Sequence, residues 1–484
     1  MSASYIFSVL PILFVFLKNE QALSVTVLFI PTLVVALVNF SLLFVARKLK
    51  KLSINDGDIV LFWCIFWFTI PLHHYLTKFY PNVVTFNFFY GVSITIFILG
   101  AHKIIHRIRK NFGGKLLRIF GYFLLAATMG QILYLEFRKT KPCTFAKVAM
   151  AEQKHPNVYH ILLDAYANCN TMDRLHYDNR SFYKQLNNNG FIVYPSSWSN
   201  YPFTQPSVAS MLNMNYLSED VRSNASKCNY MISHNTVFNT FKKNGYNIYL
   251  WQATLPFKYH NNACIEADKQ FDGAKFCFAC FSNTPIYDVV KKLLLKKCYH
   301  MHAQQIDDTF AALVRAKDKY GAFNNVFYAH ILCPHAPMLW DSKGALFANP
   351  DRFDGFLINR CRTVAHEYVW QIKVLNQKVL HCIEQIVKQY EKEDCPIIIL
   401  HGDHGAFIGE ECSNLFALHI PVAWWKDAEF LPFINLYRFV FNHLLGSQYQ
   451  YLQSHHYFPI KSIKFSDTQI PALYEKYTTH KKTS

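Results

Sequence analysis

The sequence predicts two parts: an N-terminal bundle of about five membrane-spanning helices, and an α/β domain whose central, mostly parallel sheet is flanked by helices. Three observations carry this expectation. Long apolar runs dominate the first 136 residues, whereas the composition from about 140 onward is that of a globular protein. Strand-like apolar segments then alternate with helical patterns from residue 157 onward. Acids and histidines recur just after those apolar segments, where an open α/β sheet places its ligands. The implied divisions are 1–137 for the spans, 138–156 for a polar linker with Pro142 and Pro156, and 157–484 for the extracytoplasmic α/β domain.

The apolar runs are 24–46, 59–76, 85–101 and 116–135, with a shorter one at 4–17. About 20 apolar residues cross a bilayer, so the four long runs qualify and the first is marginal. Orientation follows from the basic loops. Arg47, Lys48, Lys50 and Lys51 follow the 24–46 run, and Lys103, Arg107, Arg109, Lys110, Lys115 and Arg118 follow the 85–101 run. The loop between them holds Lys78 alone. The positive-inside rule puts both basic loops in the cytoplasm, and with five spans the N-terminus as well. Everything beyond about 137 then lies outside the cytoplasmic membrane, although Arg138, Lys139 and Lys141 oppose this weakly.

The net charge of +17 is therefore partly a topology signal, since ten basic residues sit in those two loops. No zinc-finger, basic-zipper or RNA-binding pattern accompanies it, which argues against a nucleic-acid partner. Of 13 cysteines, 12 lie beyond residue 140. An even number in an oxidising compartment points to disulfides. Cys277 and Cys280 form a lone C-x-x-C, which favours a disulfide, local or to Cys264 or Cys298, over a zinc knuckle.

In the α/β part, candidate strands are 157–164, 191–194, 247–251, 325–332, 396–401 and 419–425. Helical patterns lie at 178–188, 207–213, 235–244, 304–319 and 362–393. The residues ending the strands are Asp164 after HILL, His330 and His335 around AHIL, and Asp403 and His404 after IIIL. If those strands are neighbours, Asp164, Asp403 and His404 meet at one rim. Two carboxylates and an imidazole suit Zn, Mn or Mg. A strand-end Asp also serves as a turn or N-cap residue, so Asp164 alone decides nothing. Thr204 precedes Pro206 and Ser207, where SVASML starts a helix. A hydroxyl there lies in the positive field of the helix, which favours an attacking oxyanion and a bound phosphate.

Taken in order, HILLDAY, TQPS, AHILCPHAP and GDHG after about five spans resemble the alkaline phosphatase and sulfatase superfamily. The closer resemblance is to its membrane-anchored branch, which includes lipoteichoic acid synthases and lipid A phosphoethanolamine transferases. It covers nearly the whole chain. It implies a catalytic divalent metal (Zn, Mn or Mg) on Asp164, Thr204, Asp403 and His404. It also implies Thr204 as nucleophile, with His335, and second to it His330, on the substrate or leaving group. Sulfatases of this fold generally need a formylglycine made from Cys or Ser; Thr204 cannot be converted, and Val208 stands where C-x-P-S-R has Arg. Chemistry at phosphorus is therefore expected. The implied reaction moves a phospho-head group, of phosphoethanolamine or phosphoglycerol type, from a phospholipid to a lipid or glycan acceptor through a phospho-Thr. Alternatives are ester hydrolysis with water as acceptor, or a binding protein with a decayed site. One adjacent acid is missing, since Ala165 follows Asp164, which points to a single tightly held metal. His401 is expected to be structural.

Overall fold

A computed structural model of the chain describes residues 3–18, 28–48, 59, 63, 115–139, 154–252, 287–347, 365–406 and 412–457. Three helices belong to the apolar N-terminal part: α1 (Ala3–Lys18), α2 (Phe29–Lys48) and α3 (Lys115–Lys139). They coincide with three of the apolar runs. The runs 59–76 and 85–101 lie outside the described residues, Ile59 and Trp63 apart. On α2, Phe29, Leu33, Leu37, Phe40 and Phe44 recur at helical spacing and are all exposed, as are Ile119, Phe123 and Leu133 on α3. Counting only described residues, no helix is both long and apolar enough to cross a membrane.

The remaining described chain builds a six-stranded sheet. Its elements in order are β1 (Val158–Leu163), α4 (Arg180–Asn188), β2 (Phe191–Val193), α5 (Thr204–Asn213), α6 (Thr236–Lys243), β3 (Asn247–Gln252), α7 (Tyr287–Tyr320), β4 (Asn325–Ile331), α8 (Ala365–Val387), β5 (Ile397–His401), β6 (Phe416–His419) and α9 (Leu436–Leu445). The strand order is β2-β6-β5-β1-β4-β3. Strands β5, β1, β4 and β3 pair in parallel, and β6 runs against both β5 and β2. The sheet is thus mixed, with one reversed strand.

Alternation along β1 explains why it lies at the centre. Tyr159, Ile161 and Leu163 face one layer, where α4, α7 and α8 contribute Leu186, Leu313 and Leu375. Val158 and Leu162 face the other, where α5, α6 and α9 contribute Leu212, Phe241 and Val440. Both faces of β1 are covered and all six of its residues are buried.

Several boundaries differ from expectation. The segment 419–425 is not a strand: β6 ends at His419, and Val422–Trp424 and Trp425–Ala428 form short helical turns. Pro421, at φ −51°, has no N–H for the ladder and starts the turn instead. Helix α7 begins well before 304, because Tyr299, Ala303, Ile306 and Phe310 extend its buried stripe upstream. Helix α8 stops at Val387, short of 393. The disulfide expectation also fails where it can be checked: Cys169, Cys228, Cys333, Cys382 and Cys395 are free thiols. They sit on separate elements of the packed domain. Cys277, Cys280 and Cys264 lie outside the described residues.

Candidate active site

Parallel pairing of β1 with β5 sets Leu162 opposite His401, so the residues that follow, Asp164 and Asp403, leave the sheet side by side. On the other flank, β4 pairs with β1 and sets His330 opposite Leu162. The tips of β1 and β5 therefore supply Asp164, Asp403 and His404, and β4 brings His330 alongside. The fourth group comes from α5. This helix begins at Thr204, one turn before Ser207, so the Thr204 hydroxyl lies in its first turn. Pro206 is tolerated there because a first-turn N–H has no helical partner.

Side-chain atoms of Asp164, Asp403 and His404 lie within 4.8 Å of one another. Thr204 Oγ1 is 3.2 Å from His404 Nε2. His404 Nδ1 is 2.7 Å from the Gly405 carbonyl, which can only accept, so Nδ1 is the donor there and Nε2 faces the site. Exposure differs usefully. Asp164, Asp403 and His404 are at most 1% exposed, whereas Thr204 is 9% exposed and is the member that outside molecules can reach.

Each carboxylate is held by one oxygen only. His330 Nε2 donates to Asp164 Oδ2 at 3.1 Å, and the Ala165 amide donates to Asp403 Oδ1 at 3.0 Å. The other two oxygens, Asp164 Oδ1 and Asp403 Oδ2, are buried and have no hydrogen-bond partner among the described residues. They lie 3.7 and 3.6 Å from His404 Nε2. Burial raises the pKa of both acids. Around Asp164 the imidazoles of His335, His330 and His404 outweigh it and hold the carboxyl down to about 2. Around Asp403 burial and the Asp164 charge prevail, and its pKa is raised. Two buried acids with open oxygens are costly unless a cation lies between them. The donor set of two carboxylate oxygens, one imidazole nitrogen and one hydroxyl fits a divalent metal of the Zn, Mn or Mg class.

His335 lies against the same rim. Its backbone N–H donates to the Asp164 carbonyl at 3.0 Å, and its half-buried ring bonds through Nδ1 to the Ala336 carbonyl at 2.7 Å. His330 is 1% exposed and engaged with Asp164, a place suited to orienting a carboxylate rather than meeting substrate. His401 turns away from the site: its Nε2 lies 2.6 Å from His160 Nε2.

Sequence reasoning missed three supports. Ser207 Oγ donates to the Asp403 carbonyl at 2.5 Å and fastens α5 to the acid-bearing loop. The Ala165 amide reaches Asp403 because Ala165 has φ 61°, a left-handed conformation that costs a non-glycine residue about 1–2 kcal/mol. Tyr368 on α8 bonds to the backbone on both sides of Tyr166. Its spacing with Ile372, Leu375 and Val379 is that of an ordinary core stripe, so no sequence signal marks it.

No family model matches the sequence, and no curated protein matches it. Among solved structures, the chain is similar to the C-terminal periplasmic domain of EcEptC from Escherichia coli, in complex with Zn. The identity is 12% over 62% of this chain and 84% of that one, with a TM-score of 0.39. It is also similar to the integral membrane lipooligosaccharide phosphoethanolamine transferase A (EptA) from Neisseria meningitidis, with 12% identity over 74% of this chain and 66% of that one, at a TM-score of 0.34. A third is yidJ, a candidate sulfatase from Bacteroides fragilis, with 14% identity over 61% of this chain and 76% of that one, at a TM-score of 0.39. At such identities and scores the chemistry has to be read from the site's own residues.

Proposed function

We propose that this chain is a membrane-anchored, metal-dependent phosphotransferase of the alkaline phosphatase and sulfatase superfamily, acting outside the cytoplasmic membrane. One observation carries the proposal. Two buried carboxylates each turn an unpartnered oxygen toward His404 Nε2, and Thr204 Oγ1 stands at the open side of that group. Asp164, Asp403, His404 and Thr204 would hold the metal. When bound, it would lower the pKa of the hydroxyl and offset charge on the phosphoryl group.

The residues would then act as follows. Thr204 Oγ1, its proton released to water, attacks phosphorus of a phosphodiester, and the bond to the leaving oxygen breaks. His335 gives that oxygen a proton or orients the phosphoryl oxygens. The group rests on Thr204 until an acceptor hydroxyl, giving its proton to His335, attacks phosphorus and the bond to Thr204 Oγ1 breaks. Phe203, the N-cap of α5, makes no side-chain capping bond, and the Thr204 and Gln205 amides of the first turn could serve phosphoryl oxygens. A threonine favours phosphorus over sulfur because it cannot become a formylglycine.

The donor we infer is a phospholipid carrying a phosphoethanolamine or phosphoglycerol head group, and the acceptor a lipid or glycan hydroxyl. The exposed apolar stripes on α2 and α3 support a lipid environment for the N-terminal helices. So do the full hydropathy runs. The basic loops support a cytoplasmic N-terminus.

The test uses the full chain in detergent. Metal content is measured, and intact mass is recorded after incubation with a total lipid extract. The expected result is about one divalent ion per chain and an added head-group mass on Thr204. Full turnover by Thr204→Ala would overturn the nucleophile assignment.

A further inference from the structure

The two acids can serve one cation only if both stay in place beyond the ends of β1 and β5. Asp403 depends for this on the loop after Asp164, because the Ala165 amide is the donor on its Oδ1. That amide points there only while Ala165 keeps its φ of 61°, which its own methyl group disfavours. The restraint comes from another element. Tyr368 Oη, on α8 and 3% exposed, donates to the Ala165 carbonyl at 2.8 Å and accepts from the Ala167 amide at 3.0 Å. One hydroxyl thus grips the peptide units on either side of Tyr166.

Tyr166 is fixed in turn. Its Oη donates to Asn376 Oδ1 at 2.5 Å and accepts from Asn179 Nδ2 at 3.0 Å, and Asn376 Nδ2 closes the ring on Asn179 Oδ1 at 2.7 Å. Its carbonyl accepts from the Leu415 amide at 2.8 Å. Helix α8 therefore reaches the site through two neighbouring contacts, Tyr368 to the Ala165 and Ala167 backbone and Asn376 to Tyr166.

We propose that Tyr368 is a positioning residue for the metal: through Ala165 it holds Asp403 with Oδ1 occupied and Oδ2 turned toward Asp164 and His404. This rests on the proposed metal centre. Loss of the hydroxyl leaves the ring packed but lets Ala165 relax out of the left-handed region. Asp403 then loses its donor and is free to rotate, and affinity for the cation falls even though no ligand has been removed.

The experiment measures Zn2+ affinity by chelator competition on the full chain in detergent, alongside urea unfolding of the same samples. Tyr368→Phe is expected to bind at least about tenfold more weakly, the scale of a lost outer support. Adding Ala165→Gly to Tyr368→Phe should restore most of that loss, because glycine adopts positive φ without the methyl penalty. Leu375→Ala, a buried neighbour on α8, should lower stability and leave affinity unchanged. Affinity within twofold of the parent in Tyr368→Phe would overturn the proposal while leaving the metal centre standing. A parent chain that binds no Zn2+, Mn2+ or Mg2+ would overturn the metal centre itself. If Tyr368→Phe does not fold, Ala165→Val carries the test, since its branched side chain opposes φ 61° directly. Parent-like affinity there would overturn the proposal equally.

Discussion

Strands β1 and β5 carry polar side chains at two levels, and the two levels are completed in opposite ways. Within the strands, His160 and His401 meet with their Nε2 atoms 2.6 Å apart. His160 Nδ1 reaches Tyr437 Oη at 2.5 Å, and His401 Nδ1 reaches the Gly402 carbonyl at 2.9 Å. Because that carbonyl can only accept, the protons are placed along the whole chain: Tyr437 to His160, His160 to His401, His401 to Gly402. Every ring nitrogen has a partner. At the tips, Asp164 and Asp403 each keep one oxygen with none among the described residues. Both levels are equally buried, so solvent does not account for the difference. A neutral, closed network stabilises the sheet, whereas two adjacent acids with open oxygens weaken the empty protein and make sense only with a ligand.

The comparison can be broken at either level. The largest effect should come from Thr204→Ala, with transfer reduced by at least about a thousandfold. Folding should be near normal, because the hydroxyl bonds to His404 within the site and to no other element among the described residues. Product formation from lipid extract, with circular dichroism as the folding check, decides it. Next is Gly402→Ala, between the two levels. A Cβ there would stand 2.3 Å from the Tyr166 carbonyl oxygen, so backbone must move. Destabilisation above about 3 kcal/mol in urea is expected. A mild effect would mean that the Tyr166 loop yields.

Tyr437→Phe removes the donor on His160 and should cost about 1–3 kcal/mol, as an unsatisfied buried group does. Zn2+ affinity should stay within about twofold. A tenfold fall in affinity would show that the two levels are not separate.

The histidine level also predicts a pH dependence. Burial, then the nearby His401 and His330, hold the His160 pKa well below the ordinary 6.5. The unfolded chain therefore binds more protons than the folded one below that pH, and stability falls as pH drops from 6.5 toward the folded value. The slope is about 1.4 kcal/mol per pH unit for one such group. Urea midpoints from pH 7 to 5 measure it, and His160→Gln should reduce the slope, His401, held down to about 4 by burial, supplying the remainder.

The smallest effect is the most diagnostic. Asp403→Asn removes one of two adjacent buried charges and keeps an acceptor for Ala165, so the metal-free protein should gain on the order of 1 kcal/mol. The same change should abolish tight Zn2+ binding. Equal or lower stability would mean that the acids do not oppose each other.

Much of the fold and of the site is legible in the amino-acid pattern. Apolar runs mark five of the six strands, and helical patterns mark the principal helices, because burial on both faces of a sheet forces continuous runs such as IIIL. Asp403 and His404 stand out because charge follows such a run abruptly. Pro421 misleads at β6, since HIPVAWW reads as a strand until the missing N–H is counted. The evenness of the cysteine count misleads for Cys169, Cys228, Cys333, Cys382 and Cys395, because parity does not bring two thiols together.

The sequence by itself determined which residues could bind a cation and which hydroxyl lay at a helix start, since side-chain chemistry and local turn preferences are short-range properties. Only the tertiary structure decided that β1, β4 and β5 are neighbours, that Asp164 and Asp403 each have one oxygen held and one open, and that Tyr368 reaches the loop between them. Those facts depend on contacts between residues some 200 positions apart, where the local pattern of a core tyrosine and of a positioning tyrosine is the same.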